Sequence, residues 1–140
     1  MLNLINNLER KDITKMLLGY KFALEEMNTK ISILFEEYRV VHEYNPIEHV
    51  STRIKSPKSI MKKIEHKKLT WSLHEIEDKI RDIAGVRIVC SFEEDIYRVA
   101  DMLINQHDIT VVEVKDYIKN PKENGYRSLH LIVKIPIFLT

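Results

Sequence analysis

Lys115-Asp-Tyr-Ile-Lys-Asn-Pro-Lys-Glu-Asn-Gly-Tyr-Arg-Ser-Leu-His130 joins two strand-like runs through a segment dense in turn formers. Pro121 fixes its own φ and Asn124-Gly125 readily supplies positive φ, so residues 120–125 predict a loop between two strands. Residues 109–117 and 127–139 are rich in β-formers, and Leu129, Leu131, Val133 and Ile135 alternate as a core face. The loop itself is basic. Lys115, Lys119, Lys122 and Arg127 crowd four cations about one ring, Tyr126, while His130 falls on the same side of the second strand as Ser128. Phosphates want Lys and Arg and a planar base wants an aromatic face, so the set suits a nucleotide. A solvated basic hairpin has the same composition.

Earlier in the chain, Ile13, Met16, Leu17, Tyr20, Leu24, Met27, Ile31, Leu34, Tyr38 and Val41 recur at intervals of three and four, predicting a long amphipathic helix over residues 12–42. Asp12 is its expected cap, residues 2–8 form a separate short helical segment, and Pro46 closes the pattern. The near-heptad spacing also fits a coiled-coil seam, although packing against a sheet of the same chain suits it better. Residues 47–55 read as a strand with Arg53 and Lys55 on one face. Ser56-Pro57 then opens a helix, with Ser56 as N-cap and Pro57 at the first position. Ser59 and Lys63 lie one turn apart on that helix. A strand end with two cations, a helix N-terminus, a hydroxyl and a further Lys make a phosphate cradle; a lysine-rich solvent face is the bland alternative.

Ser72-Leu73-His74-Glu75 has the form of a capping box for a short helix to about Arg81. Residues 84–90 follow as a strand, with Gly85, Arg87 and Val89 on one face and Ala84, Val86, Ile88 and Cys90 on the other. Asp82 stands at its entrance. A carboxylate near phosphate-seeking cations suits Mg²⁺, which takes one or two carboxylates plus substrate phosphates; an ion pair with Arg81 or Arg87 is the structural alternative. Residues 93–107 predict a helix whose Glu93, Glu94 and Asp95 complement its dipole and whose Ile96, Val99, Ala100 and Leu103 face a core. It reads as scaffold.

With 140 residues, 44% of them apolar and 31% charged, the chain reads as one ordinary globular domain: a helical part at 1–45 and a binding core at 46–140. A net charge of +1 argues against a protein that coats nucleic acid. No apolar run approaches the roughly 18 residues of a membrane span, and the N-terminus lacks a signal-peptide pattern, so the expected location is cytoplasmic. Cys90 is single and reads as a core residue. The six histidines show no zinc spacing, and glycine-rich phosphate loops are absent.

Three motifs in order then carry a family resemblance: Arg53-x-Lys55-x-x-x-Ser59-x-x-x-Lys63, Asp82-Ile-Ala-Gly-Val-Arg87, and the basic loop from Lys115 through Lys122, Asn124 and Tyr126 to His130. Together they closely resemble the synthetase domain of the RelA/SpoT family, in the form of a small alarmone synthetase of the RelQ or RelP kind. The resemblance implies an α/β (α+β) fold, a nucleotidyltransferase-like mixed β-sheet flanked by helices, with the long helix N-terminal. It implies a GTP pyrophosphokinase of the stringent response, moving the β,γ-pyrophosphate of ATP to the 3′-hydroxyl of GTP or GDP to give (p)ppGpp and AMP. Arg53 and Arg87 would hold adenine, and Lys55, Ser59 and Lys63 the ATP phosphates. Asp82 would be the catalytic Mg²⁺ ligand. Tyr126 would stack on guanine, with Lys115, Lys122, Asn124 and His130 on the acceptor nucleotide.

Glu113-Val-Lys115-Asp116 departs from the corresponding motifs of the longer family members, so metal and acceptor preference are not carried over from it. The family also places an essential Glu on the strand after Thr140. The resemblance therefore implies a synthetase domain incomplete at its C-terminus, with little or no (p)ppGpp made by residues 1–140 alone. Homo-oligomers, often tetramers, and regulation by (p)ppGpp or single-stranded RNA are implied in the same way. A toxin-type relative that pyrophosphorylates the 3′ end of tRNA, and a non-catalytic nucleotide or RNA sensor, are the competing readings.

Overall fold

The computed structural model describes residues 2–70 and 72–138, with side chains described from residue 11 onward. Its elements run α1 (Leu2–His42), β1 (Ile47–Ile54), α2 (Pro57–Lys67), α3 (Leu73–Lys79), β2 (Ala84–Cys90), α4 (Glu93–Ile104), β3 (Thr110–Asp116) and β4 (Leu129–Lys134). The α/β class agrees with the sequence reading. The strands are grouped in pairs, β1 with β2 and β3 with β4. None of the described helices is long and apolar enough to cross a membrane.

Helix α1 is one continuous element of 41 residues, which corrects the expected break before Asp12. Leu8-Glu9-Arg10-Lys11 holds no Gly or Pro and consists of residues that lose little freedom in a helix, so nothing there favours a stop. Asp12 consequently lies inside the helix. At the other end Glu43 turns the chain with φ 54°, and the Asn45 side-chain oxygen accepts the Ile47 N–H at 3.0 Å. Pro46 follows Asn45 and is fully buried.

Two compact units share the chain, each drawing on part of α1. The first takes α1 up to Asn28 together with Ser51–Arg87. Its core is built from Ile13 and Met16 of α1, Ile60 and Ile64 of α2, and Ile76, Ile80 and Ile83 around α3 and the entrance to β2. Leu17, Tyr20, Met61 and Leu69 pack against this cluster. The three-and-four spacing that predicted α1 thus supplies its contacts here, and burial pushes the Tyr20 hydroxyl up to about 12, with Glu77 adding to the effect.

Helix α2 is closed at both ends. Ser56 accepts the Ser59 N–H at 3.1 Å and Pro57 occupies the first turn, as its sequence predicts. At the C-terminus Lys68 adopts φ 55°; its N–H donates to Glu65 C=O, and Leu69 N–H donates to Ile64 C=O at 3.0 Å. Those two bonds form a Schellman motif built on a non-glycine residue. The capping box of α3 is different from expectation: Ser72 precedes the helix but makes no side-chain cap bond, and Glu75 instead accepts the Thr70 hydroxyl. A neighbouring donor competes successfully for the carboxylate that the box requires.

The second unit comprises Thr29–Val50 and the chain from Ile88 onward. Ile31, Phe35, Val99, Ala100, Leu103, Ile109 and Ile118 are its buried apolar residues. Asp95 is also buried, at 2% exposure; it accepts the Tyr44 hydroxyl and pairs with Arg98 at 3.2 Å, so its charge is compensated. Strands β3 and β4 pair antiparallel with a bulge between Val111 and Glu113. Leu129, Leu131, Val133 and Ile135 are half-buried. β4 ends at Lys134, two residues before Pro136, which has no N–H to donate; Leu139 of the expected strand lies outside the described residues.

Two substitutions test this account by denaturant unfolding and thermal melts. Ile60→Ala, at the centre of the first core, should cost about 3–4 kcal/mol. Lys68→Gly should stabilise the chain by about 1 kcal/mol, because glycine carries no Cβ penalty in the left-handed region.

Candidate functional site

In the first unit, the strand end before α2 meets the entrance of β2. The Lys55 N–H donates to Ile83 C=O at 2.7 Å, and Lys55 itself is buried to 9% exposure. Its ammonium pairs with Asp82 at 3.2 Å, while Lys63 donates to both Asp82 oxygens at 2.9 Å. Lys63 reaches this point because Ile60 and Ile64 lock α2 into the core and leave the neighbouring helix face outward. Ser59, one turn before Lys63, accepts the Ser56 hydroxyl at 2.9 Å. Lys55, Lys63 and Asp82 are therefore brought together, with Ser59 in the first turn of the same helix.

Burial pushes the Asp82 carboxyl upward, but hydrogen bonds and charge from Lys63 and Lys55 outweigh it and hold the group below its ordinary value. Neither Arg81 nor Arg87 is its partner: Arg81 binds the Asp78 carbonyl and pairs with the Asp78 carboxylate. Strand β2 has the alternation read from sequence, with Gly85, Arg87 and Val89 exposed and Ala84, Val86, Ile88 and Cys90 half-buried. Arg53 on β1 is exposed as well. Both guanidinium-bearing residues thus stand on paired strands of the same unit.

Among the described residues, no group of three or more His, Cys, Asp and Glu gathers as a metal cage. Asp82 is a lone carboxylate between two ammoniums. That donor set fits Mg²⁺ arriving with phosphate oxygens, where one protein carboxylate suffices.

In the second unit, the β3–β4 register sets Lys115 opposite His130 and Asp116 opposite Leu129. The pairing continues one step further, with Tyr117 N–H donating to Ser128 C=O at 2.8 Å. Beyond it the loop closes on itself. Gly125, at φ 84°, donates its N–H to Lys122 C=O at 2.8 Å, Lys122 N–H donates to Tyr126 C=O at 3.1 Å, and the Asn124 side-chain oxygen accepts the Tyr126 N–H at 3.1 Å. These bonds carry Tyr126 back over the strands. Its hydroxyl lies 2.9 Å from His130 Nε2, and its ring meets His130 edge-on at 5.8 Å between centroids.

A third ring completes the group. Tyr117 stands 5.3 Å from His130 and 6.2 Å from Tyr126, both edge-on, and the Lys122 ammonium lies over both tyrosines at 4.7 and 5.2 Å. Sequence reasoning missed Tyr117. The signal was present in the two-residue period, since Tyr117 follows Lys115 on the same strand face. The four-cation crowd is also corrected: Lys122 takes the rings, whereas Lys115 pairs with Glu113 at 3.6 Å and Arg127 turns to Glu93. Each of those two side chains has an opposite charge as its partner, although Lys115 still stands opposite His130. Burial, then Lys122 and Lys115, lowers the His130 pKa and favours the neutral imidazole. Ser128 Oγ is a buried polar atom without a hydrogen-bond partner.

Residues 52–138 match the model of a region found in RelA/SpoT proteins. GTP pyrophosphokinase YwaC of Bacillus subtilis is 50% identical over 130 residues, which cover 93% of this chain and 62% of that protein. The crystal structure of small alarmone synthetase 2 from Bacillus subtilis is similar at a TM-score of 0.80 and 49% identity, covering 92% of this chain and 65% of that one. Small alarmone synthetase 1 from the same organism, solved bound to its product pppGpp, gives 0.79 and 42% identity over 91% of this chain and 64% of that one. The chain thus spans less than two thirds of the length of these relatives.

Asp82→Asn tests the lysine cluster without any ligand. Loss of the charge leaves the buried Lys55 ammonium short of a partner, and at pH 7 the variant should be less stable by about 1 kcal/mol, the half-exposed carboxylate being screened by water. The folded-state pKa of Asp82 is depressed, so the wild-type advantage is complete above the unfolded carboxyl value near ~4 and is lost as pH falls through the lower folded value. Urea unfolding at pH 7 and pH 2.5 should therefore show the difference and then its loss.

Proposed function

The chain belongs to the RelA/SpoT family, and from that premise we propose that it serves a GTP pyrophosphokinase reaction, the transfer of the β,γ-pyrophosphate of ATP to the 3′-hydroxyl of GTP or GDP. One observation supports the reading: the chain builds two chemically different side-chain sets, a lysine–carboxylate cluster beside a helix N-terminus and a cation-capped group of rings. One suits a polyphosphate and the other a base.

In this reading Lys55, Ser59 and Lys63 take the ATP phosphates, whose larger negative charge draws the ammoniums from Asp82. Asp82, released from the ammoniums, would be the residue that holds Mg²⁺; when bound, the ion would supply positive charge beside the attacked phosphorus. Arg53 and Arg87 hold adenine between guanidinium planes, a role for which Lys is a poor substitute. Tyr126 stacks on guanine, with Lys115, Lys122 and His130 on the remainder of the acceptor. Asn124 already uses its oxygen on the Tyr126 N–H, so its amide NH₂ is the group offered to the ligand. The acceptor 3′-oxygen bonds to the β-phosphorus of ATP, the bond from that phosphorus to the α–β bridging oxygen breaks, AMP leaves, and the hydroxyl proton is released. The cytoplasm, where both nucleotides are abundant, is the compartment this reading assigns.

Binding is the first test. Calorimetry should give separate sites for Mg²⁺–ATP and for GDP, and Tyr126→Ala should weaken GDP by roughly 1–3 kcal/mol, as loss of a stacked aromatic does in other base-binding proteins, while leaving ATP unchanged. Equal GDP affinity in the variant would remove base recognition from the loop. The transfer is read with labelled ATP in the protein at its natural length: label in (p)ppGpp supports the proposal, and label found only on tRNA 3′ ends overturns it.

A further inference from the structure

Helix α4 carries two polar side chains that reach the two ends of the acceptor loop. Tyr97 donates its hydroxyl to Asp116 Oδ2 at 2.8 Å, where the chain leaves β3. Glu93 pairs with Arg127, where the chain returns toward β4. The two α4 residues are four apart and share one helical face.

Asp116 links Tyr97 to the loop. Its other oxygen, Oδ1, accepts the N–H of Ile118 at 2.9 Å and of Lys119 at 3.0 Å. The Lys119 amide, with the Tyr97 hydroxyl and the Ile118 amide, holds the carboxyl below its ordinary range against the upward push of burial. Both oxygens are thus committed to the protein. The residue between these anchors is Tyr117, whose ring touches Tyr126 and His130. The β3–β4 ladder closes through backbone bonds up to Tyr117 and Ser128 and does not depend on the Tyr97 hydroxyl. What the hydroxyl adds is the orientation of the Asp116 carboxylate, and with it the direction in which residues 117–119 leave the strand.

We propose that Tyr97 is a positioning residue for the acceptor-base platform: acting through Asp116, it fixes the start of the loop that sets Tyr117 against Tyr126 and His130. Glu93 plays the weaker part at the other end, because its pair with Arg127 is exposed on both sides. The assignment rests on the acceptor reading given above, and it treats Asp116 as an organiser of the chain.

Tyr97→Phe keeps the ring and removes the hydroxyl. Calorimetry should show GDP binding weakened about tenfold, the scale of one hydrogen bond to a charged group, with Mg²⁺–ATP affinity unchanged. Hydrogen exchange without ligand should rise at the Ile118 and Lys119 amides and stay constant at α2. Unchanged exchange at those two amides overturns the positioning role whether or not GDP binds. Faster exchange there with GDP affinity equal to wild type overturns the link to the platform. A parallel loss of ATP affinity and of protection in α2 marks a merely global effect and overturns the proposal too. If wild type binds no GDP while the two amides respond as expected, the acceptor reading fails and the platform role falls with it, whereas the Tyr97–Asp116 contact stands.

Discussion

A buried ammonium needs a nearby anion, and in this chain Lys55 imposes that requirement on everything around it. At 9% exposure it cannot rely on water, so Asp82 must stay within reach, and Asp82 is placed by the backbone bond from Lys55 N–H to Ile83 C=O. Lys63 joins from the outward face of α2 because Ile60 and Ile64 hold that helix by its other side. Packing by isoleucines and pairing of three charges are thus one construction. The core fixes the distances, and the distances make the charges tolerable.

The second unit meets a different constraint. A twelve-residue excursion between β3 and β4 has to present rings with Ile118 as its one buried apolar residue among those described, and it does so with backbone groups bonded to side-chain oxygens. Asp116 takes two amides at the start, Asn124 takes the Tyr126 amide near the end, and Gly125 supplies the positive φ that lets the chain reverse. Asp116 and Asn124 look polar and solvent-seeking in the sequence, yet each gives a side-chain oxygen to loop backbone.

Periodicity made the elements legible, and local competition made the exceptions. The β2 alternation, the Ser56-Pro57 opening of α2 and the basic hairpin follow from two-residue and 3.6-residue patterns and turn chemistry, which involve neighbours in sequence. The misreadings involve neighbours in space: Thr70 taking Glu75 from Ser72, and Glu93 taking Arg127 from Tyr126. Tyr117 was within reach of the two-residue period, which places it on the face of Lys115, but its ring partners come from cross-strand register and the returning loop. The continuous α1 is the exception of another kind, where a capping residue was present but no reason for the helix to begin there was.

The contrast between the two sets has a consequence for the order in which charge is satisfied. In the first, two ammoniums share the one carboxylate of Asp82 and keep a net positive charge, so a polyphosphate would compete with a single negative group for both. In the second, Lys122 rests on two π-faces, an attraction worth only about 0.5–1 kcal/mol where water has access, and it surrenders little on turning to a phosphate. On the proposed reading, the lysine cluster would favour ligands of high charge density over weakly charged ones, while the ring platform would offer a base its aromatic faces before Lys122 turned to a phosphate.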